Sequence, residues 1–210
     1  MINILIADDH SIVRAGLKQI IAEISDMTVV DEAGNGSEVL DKIRMNDYSV
    51  VVLDIAMPGK SGLEALKEIK SERPGLPVLM LSMYPEDQYA IRVFRSGAAG
   101  YLTKESAPAE LVTAIRTVAG GKKYISPSVA ERLVFNLDSE GEKELHELLS
   151  DREFQVLRMI ASGKAVSDIA DELSLSVKTI STYRSRILEK MKLKNSAELT
   201  TYAIQNHLID

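Results

Sequence analysis

Five polar side chains of complementary chemistry stand at the carboxyl ends of short apolar runs. Asp8 and Asp9 follow Ile2–Ala7, Asp54 closes Val50–Asp54, Ser82 follows Pro77–Leu81, and Lys104 follows Ala99–Thr103. Carboxylates gathered in one place repel one another unless a cation joins them. An all-oxygen donor set with room for water suits Mg²⁺ better than a softer metal. A lysine opposite can pair with a phosphoryl oxygen, and a hydroxyl can hydrogen-bond to it. Together the set suits transfer of a phosphoryl group onto a carboxylate, with charge neutralised in flight. Any one of these residues alone reads as an ordinary loop residue. Five of them at the ends of four strands do not.

A second concentration lies near the end of the chain. Residues 176–196 carry six basic side chains (Lys178, Arg184, Arg186, Lys190, Lys192, Lys194) against one acid, Glu189, in a chain whose net charge is −6. The acidic excess falls instead on residues 1–124 and 125–145. A basic run is more often a solvated face than a nucleic-acid site, so its meaning depends on the element that carries it.

The elements that must position the first group alternate. Apolar runs at Ile2–Ala7, Met27–Ala33, Val50–Asp54, Pro77–Leu81 and Ala99–Thr103 read as strands. The first, third and fourth are nearly continuous Val, Ile, Leu and Met, as strands buried on both faces should be. Helical periodicity lies between them. The first helix sets Ile12, Val13, Ala15, Gly16, Leu17, Ile20, Ile21 and Ile24 on one side, and others cover 37–45, 63–71, 85–96 and 108–119. Glycine and proline mark the joins, among them Gly34, Gly59 and Pro74-Gly75. Five such βα units predict a flavodoxin-like, doubly wound α/β fold with a five-stranded parallel sheet, whose sites lie at the strand carboxyl ends.

After Gly120 the pattern weakens. Ser126-Pro127-Ser128 with Val129, Ala130, Leu133 and Val134 reads as a capped helix, and 138–142 as an acidic, turn-prone connector. A small all-α domain of four helices follows. Ser150 and Glu153 form a capping box before Phe154, Val156, Leu157, Ile160 and Ala161, and a second helix carries Val166, Ile169, Ala170 and Leu173. A turn at 174–176 leads to a third helix with Val177, Ile180, Leu188 and Met191 inside and Lys178, Thr179, Ser181, Thr182, Ser185 and Arg186 outside. A fourth helix runs from about Ser196 to Asn206. Two short helices joined by a tight turn, the second cap-started and basic, have the form of a helix-turn-helix. Small hydroxyls among cations suit close approach to phosphates and base edges.

The runs Ile6-Ala7-Asp8-Asp9-His10, Leu53-Asp54-Ile55-Ala56-Met57-Pro58-Gly59, Leu81-Ser82 and Gly100-Tyr101-Leu102-Thr103-Lys104 resemble the receiver domain of response regulators. The strings Leu149-Ser150-Asp151-Arg152-Glu153, Ile160-Ala161-Ser162-Gly163, Ile169-Ala170-Asp171-Glu172-Leu173 and 176–183 resemble the LuxR-type domain of the NarL/FixJ group. The resemblance implies a receiver over 1–121, a partly helical linker over 122–146 and a helix-turn-helix domain over 147–210. It implies a DNA-binding transcription regulator of a two-component system, with Asp54 as phosphoacceptor for a sensor histidine kinase. Mg²⁺ would be held by Asp8, Asp9, Asp54 and the carbonyl of Ala56. Ser82, Tyr101 and Lys104 would form the switch and phosphoryl contacts, with Tyr101 rotating inward on phosphorylation. Lys178, Thr179, Ser181, Thr182, Ser185 and Arg186 would face promoter DNA, in a homodimer when phosphorylated and in reach of RNA polymerase. The chain departs from the pattern at Glu105, where receivers often have proline, and at Val166, Ser181 and Tyr183 of the DNA-binding domain.

Composition agrees with a cytoplasmic protein. There is no cysteine, which removes disulfides, thiolate metal sites and cysteine nucleophiles, and no apolar run approaches the ~20 residues of a membrane span. The expected chemistry is confined to phosphoryl acceptance and slow autodephosphorylation. His10, His146 and His207 read as scattered, without a second metal site or a histidine-based catalytic group.

Overall fold

Buried runs of β-branched and aliphatic residues build a single parallel sheet in the first part of the chain. The computed structural model describes residues 1–127, 129–131 and 144–209, and the chain divides into two compact units, Met1–Asp138 and Ser139–Asp210. The first unit alternates β1 (Ile2–Ala7), α1 (Ser11–Ala22), β2 (Met27–Ala33), α2 (Gly36–Met45), β3 (Val50–Asp54), α3 (Gly62–Glu72), β4 (Val78–Ser82), α4 (Glu86–Arg95), β5 (Gly100–Thr103) and α5 (Ala107–Ala119). The strand order is β2-β1-β3-β4-β5, all parallel. Every residue of β3 and β4 is buried, which is what helices on both faces of a sheet require. Val52, Leu79, Leu81 and Leu102 meet Ile21, Leu111 and Ile115 in one core cluster.

Register places the polar ends together. Ala7 lies opposite Leu53, Asp54 opposite Leu81, and Ser82 opposite Thr103. The residues immediately beyond, Asp8 and Lys104, therefore border the same crevice as Asp54 and Ser82.

Helix starts follow local rules. Asn35 caps α2 by accepting from the Glu38 N–H, and Ser61 with Glu64 forms a capping box on α3. Gly62 is required sterically: a Cβ there would lie 1.8 Å from the carbonyl oxygen of Asp54. Only glycine lets the first turn of α3 approach β3 so closely, and its N–H donates to Ile55 O at 3.0 Å.

After α5 the chain returns to the edge of β5. Tyr124 forms a parallel bridge with Gly100, its N–H donates to Ala99 O at 2.9 Å, and its hydroxyl donates to Glu110 at 2.8 Å. Lys123 Nζ donates to the carbonyl of Ala98, and Ser126 Oγ to Glu86. Ser126 also accepts from the Val129 N–H at 3.4 Å, as a cap should, while the remainder of that predicted helix and the acidic connector 138–142 lie outside the described residues.

The second unit contains a 3₁₀ turn (Leu145–Leu148), α6 (Asp151–Ala161), α7 (Val166–Glu172), α8 (Val177–Met191) and α9 (Ser196–Gln205). Helix α6 packs on α8 and α9, and α7 on α8. The Ser150/Glu153 capping box forms, and Glu153 also pairs with Lys190 of α8 at 2.6 Å, tying two helices through one carboxylate. Between α7 and α8 the turn passes through Ser174 in the left-handed region (φ 53°), and Ser176 caps α8 by accepting from the Thr179 N–H at 3.0 Å.

Two large apolar residues are placed differently from their periodicity. Ile12 is 79% exposed, and Val177 at the first position of α8 is 53% exposed. Ile187, not singled out by the sequence, is fully buried with Ile180 and Met191. In both helices the outlying apolar residue sits in the first turn, where it projects beyond the layer the helix packs on.

Candidate functional site

The carboxyl ends of β1, β3, β4 and β5 bring together four of the five polar residues named first. Asp8, Asp54 and Ser82 are buried, and Lys104 reaches in from the end of β5 with its side chain only 10% exposed. Its Nζ lies 2.7 Å from Asp8 Oδ2 and 3.1 Å from Asp54 Oδ2. Among the described residues, those two buried oxygens meet no aligned hydrogen-bond donor. Asp9 stands at the rim, more exposed than Asp8. The backbone of Ala56 follows β3 on the same side of the sheet and is partly exposed.

Electrostatics explain the state of the central carboxylate. Burial pushes Asp54 up to about 6, the Lys104 ammonium opposes that rise, and the Asp8 carboxylate adds to it. For Lys104, burial works to lower the pKa, but Asp54 and Asp8 outweigh it and hold the ammonium above its ordinary value. One lysine therefore faces two buried carboxylates. The backbone beneath is held from α1, where Arg14 Nη1 donates to Asp8 O at 2.7 Å while its Nε donates to Glu32 at 3.1 Å.

Ser82 and Tyr101 are linked through one residue. Tyr84 N–H donates to Ser82 Oγ at 3.0 Å, which leaves the serine proton able to donate outward. Tyr101 O–H donates to the Tyr84 carbonyl at 2.7 Å, and the Tyr84 ring stacks on Tyr89 at 5.0 Å between centroids. The sequence-based expectation had Tyr101 moving inward on phosphorylation. Its ring is buried here, with the hydroxyl on the Tyr84 carbonyl.

His10 was missed by sequence reading. Its Nδ1 lies 2.8 Å from Asp9 Oδ1 and 3.3 Å from Asp8 Oδ1, and its N–H donates to Asp8 Oδ1 at 2.8 Å. In sequence it stands with two scattered histidines; the turn into α1, with His10 at the N-cap position, folds the ring back over the acids.

In the second unit the outer surface of α8 forms an open hollow of about 310 Å³, lined by Ser176, Lys178, Thr179, Thr182, Tyr183 and Arg186. Ser181 and Ser185 are exposed on the same helix but do not line it. Thr182 and Ser185 donate their hydroxyl protons to the carbonyls of Lys178 and Ser181, one turn back. Tyr183 is half-buried and stands in the hollow beside the two cations. The surface joins exposed cations, small hydroxyls and an aromatic ring on one helix, the chemistry of a phosphate- and base-contacting face.

Comparison with known proteins agrees with both halves. Residues 4–116 match the response regulator receiver domain, and residues 147–203 match the bacterial regulatory proteins of the luxR family. The chain belongs to the response regulators of two-component systems, as a NarL/FixJ-type transcription regulator with a receiver and a LuxR-type DNA-binding domain. It is 40% identical over 210 residues to response regulator GacA of Pseudomonas protegens, covering all of this chain and 99% of that one. It is 38% identical to response regulator UvrY of Escherichia coli K12, covering 99% and 96%. Among solved structures, RcsB of Salmonella typhimurium superposes with a TM-score of 0.68 at 28% identity, covering 98% of each chain. An RcsB–DNA complex gives 0.59 at 30% identity, covering 97% and 98%. No helix among the described residues is long and apolar enough to cross a membrane.

Proposed function

We propose that Asp54 is the phosphoacceptor of a cytoplasmic transcription regulator, and that its phosphorylation by a sensor histidine kinase controls binding of α8 to promoter DNA. The observation that carries this reading is Asp54 itself: a buried carboxylate, raised to about 6, between Lys104 and Asp8 at the crevice of a parallel sheet. The parts divide as a receiver over 1–121, a linker over 122–146 and a DNA-binding domain over 147–210.

The donor set fits Mg²⁺. Asp8, Asp9, Asp54 and the Ala56 carbonyl offer only oxygen, and the excess of buried negative charge over Lys104 calls for a cation. When bound, the ion neutralises the carboxylates and the transferring phosphoryl oxygens. An Asp54 oxygen attacks phosphorus, the P–O bond forms as the P–N bond of the donor phosphohistidine breaks, and the imidazole nitrogen leaves with the electron pair. Lys104 pairs with a phosphoryl oxygen, and Ser82 donates the proton that Tyr84 leaves unused. Competition for Ser82 then shifts the Tyr84–Tyr101 link, the element available to carry the change away from Asp54.

On the DNA side, Lys178 and Arg186 hold the phosphates, while Thr179, Ser181, Thr182 and Ser185 approach the base edges. A homodimer of the phosphorylated chain doubles the contact, and RNA polymerase is the partner next to it on a promoter. The RcsB structures in complex with DNA, including one with promoter P1flhDC in the presence of the phosphomimetic BeF₃⁻, support this reading. Catalysis of a separate substrate is not part of it.

The test is DNA selection with wild type and Asp54→Asn, each with and without a small phosphodonor and Mg²⁺. Wild type should gain about tenfold in specific affinity with the donor, and the variant nothing. Equal behaviour of the two proteins under all conditions would remove the switch. Separately, Lys178→Ala and Arg186→Ala should each weaken binding across sequences and reduce the slope of log K against log salt by about 1. Unchanged slopes would place the phosphate contacts elsewhere.

A further inference from the structure

Divalent ions prefer ligand sets whose donor atoms already stand at coordination spacing. For metal–ligand bonds near 2.1 Å, neighbouring donors of an octahedron stand about 3 Å apart. His10 Nδ1 lies 2.8 Å from Asp9 Oδ1 and 3.3 Å from Asp8 Oδ1, on either side of that value. Among the described residues, these three side chains are the group of acidic and imidazole ligands whose donor atoms converge.

A second observation points to a cation at the same place. Asp8 is fully buried, and among the described residues the oxygen it turns away from His10 meets only Lys104, which it shares with Asp54. The buried carboxylates thus outnumber the cation that balances them, and Asp9 and His10 form the open side through which an ion and its waters can enter.

We infer that His10 is a nitrogen ligand of the divalent site, so that the site holds Mn²⁺, Co²⁺ or Ni²⁺ more tightly than Mg²⁺. The inference rests on the reading of the acidic crevice as a divalent-cation site. The physical ground is ligand type: imidazole suits first-row transition ions, whereas Mg²⁺ takes oxygen and gains little from it. His10 thereby sets which ion supports phosphorylation when both classes are present.

The experiment uses the full chain without an affinity tag. Pulsed electron paramagnetic resonance of bound Mn²⁺ should show modulation from an imidazole nitrogen in wild type and none in His10→Gln. Calorimetric titration should show His10→Gln weakening Ni²⁺ by about tenfold or more while leaving Mg²⁺ within about twofold. Asp8→Asn should weaken both ions. His10 is largely exposed, so His10→Gln should melt like wild type in the absence of metal, separating ligand loss from misfolding. If Mn²⁺ binds and Mg²⁺ displaces it, but no nitrogen signal appears and Ni²⁺ affinity survives His10→Gln, the inference is overturned while the cation site stands. If no divalent ion binds wild type, the inference and the cation reading fall together.

Discussion

Gly62→Ala should destabilise the receiver by about 4 kcal/mol, close to a thousandfold in its folding equilibrium. The new methyl carbon would sit 1.8 Å from Asp54 O, 2.8 Å from the Asp54 carbonyl carbon and 3.0 Å from Ile55 Cα. All three are backbone atoms at the end of a strand buried on both faces and the residue after it, so no side chain can swing aside. Relief requires α3 to lift away from β3, which breaks the Gly62 N–H bond to Ile55 O and opens the core beside Leu63 and Leu66. Gly16→Ala is the matched control. Nothing lies within 4 Å of a Cβ at that position, in the middle of α1, and the change should stabilise by about 0.5–1 kcal/mol. Urea melts of the full chain followed by circular dichroism measure both. A Gly62→Ala transition superimposed on wild type would show that α3 does not approach Asp54 as described.

Asp54→Asn should stabilise the metal-free receiver by about 3 kcal/mol at about pH 7.5. Asp54 titrates at about 6 in the fold against 3.8 without it, and each unit is worth about 1.4 kcal/mol. Because the folded value is the higher one, the native state binds the proton more tightly than the unfolded chain does. The Asp54 contribution is therefore greatest below about pH 4, is lost as pH rises through about 6, and stays lost above that. The variant has no such dependence, so the gap between the two proteins should open between about pH 4 and 6 and then hold. Mg²⁺ added at neutral pH should narrow it from the wild-type side, since a bound cation relieves the same repulsion. Thermal melts across pH, with and without the ion, read all of this. Identical pH profiles for the two proteins would mean that Asp54 carries no burial strain.

Much of this was legible in the residues. The strands announce themselves because burial on both faces leaves little besides Val, Ile, Leu and Met in β1, β3 and β4, and the polar residues that end them fall together once the sheet is parallel. The helix-turn-helix follows from caps at Ser150 and Ser176 that bond as their spacing predicts. What escaped depends on distances that periodicity does not encode. Gly59 reads as punctuation and Gly62 lies just before the predicted helix over 63–71, yet Gly62 has the tighter constraint, because it comes from the end of a neighbouring strand rather than its own turn. His10 follows two aspartates and looks like loop until the entry angle of α1 returns its ring to them. Ile12 and Val177 fit an apolar stripe by count but stand in the first turn, outside the packed layer.

The return of residues 123–126 along β5 has a consequence for how copies of this chain can associate. A parallel sheet ends in two rows of unpaired peptide groups, each a template on which a foreign strand can add. On the β5 side that row is partly filled by the chain's own Tyr124, whose N–H takes the Ala99 carbonyl, and by the Lys123 ammonium on Ala98. At the opposite edge, β2 shifts register against Ile4 and Leu5 and carries Asp31 and Glu32, both engaged by lysines. Charged side chains mark the β2 border, and the chain's own backbone covers part of the β5 border. Strand addition is thus discouraged at both borders of the receiver, and pairing between protomers is left to side chains on helices and loops, where it can be made and broken reversibly.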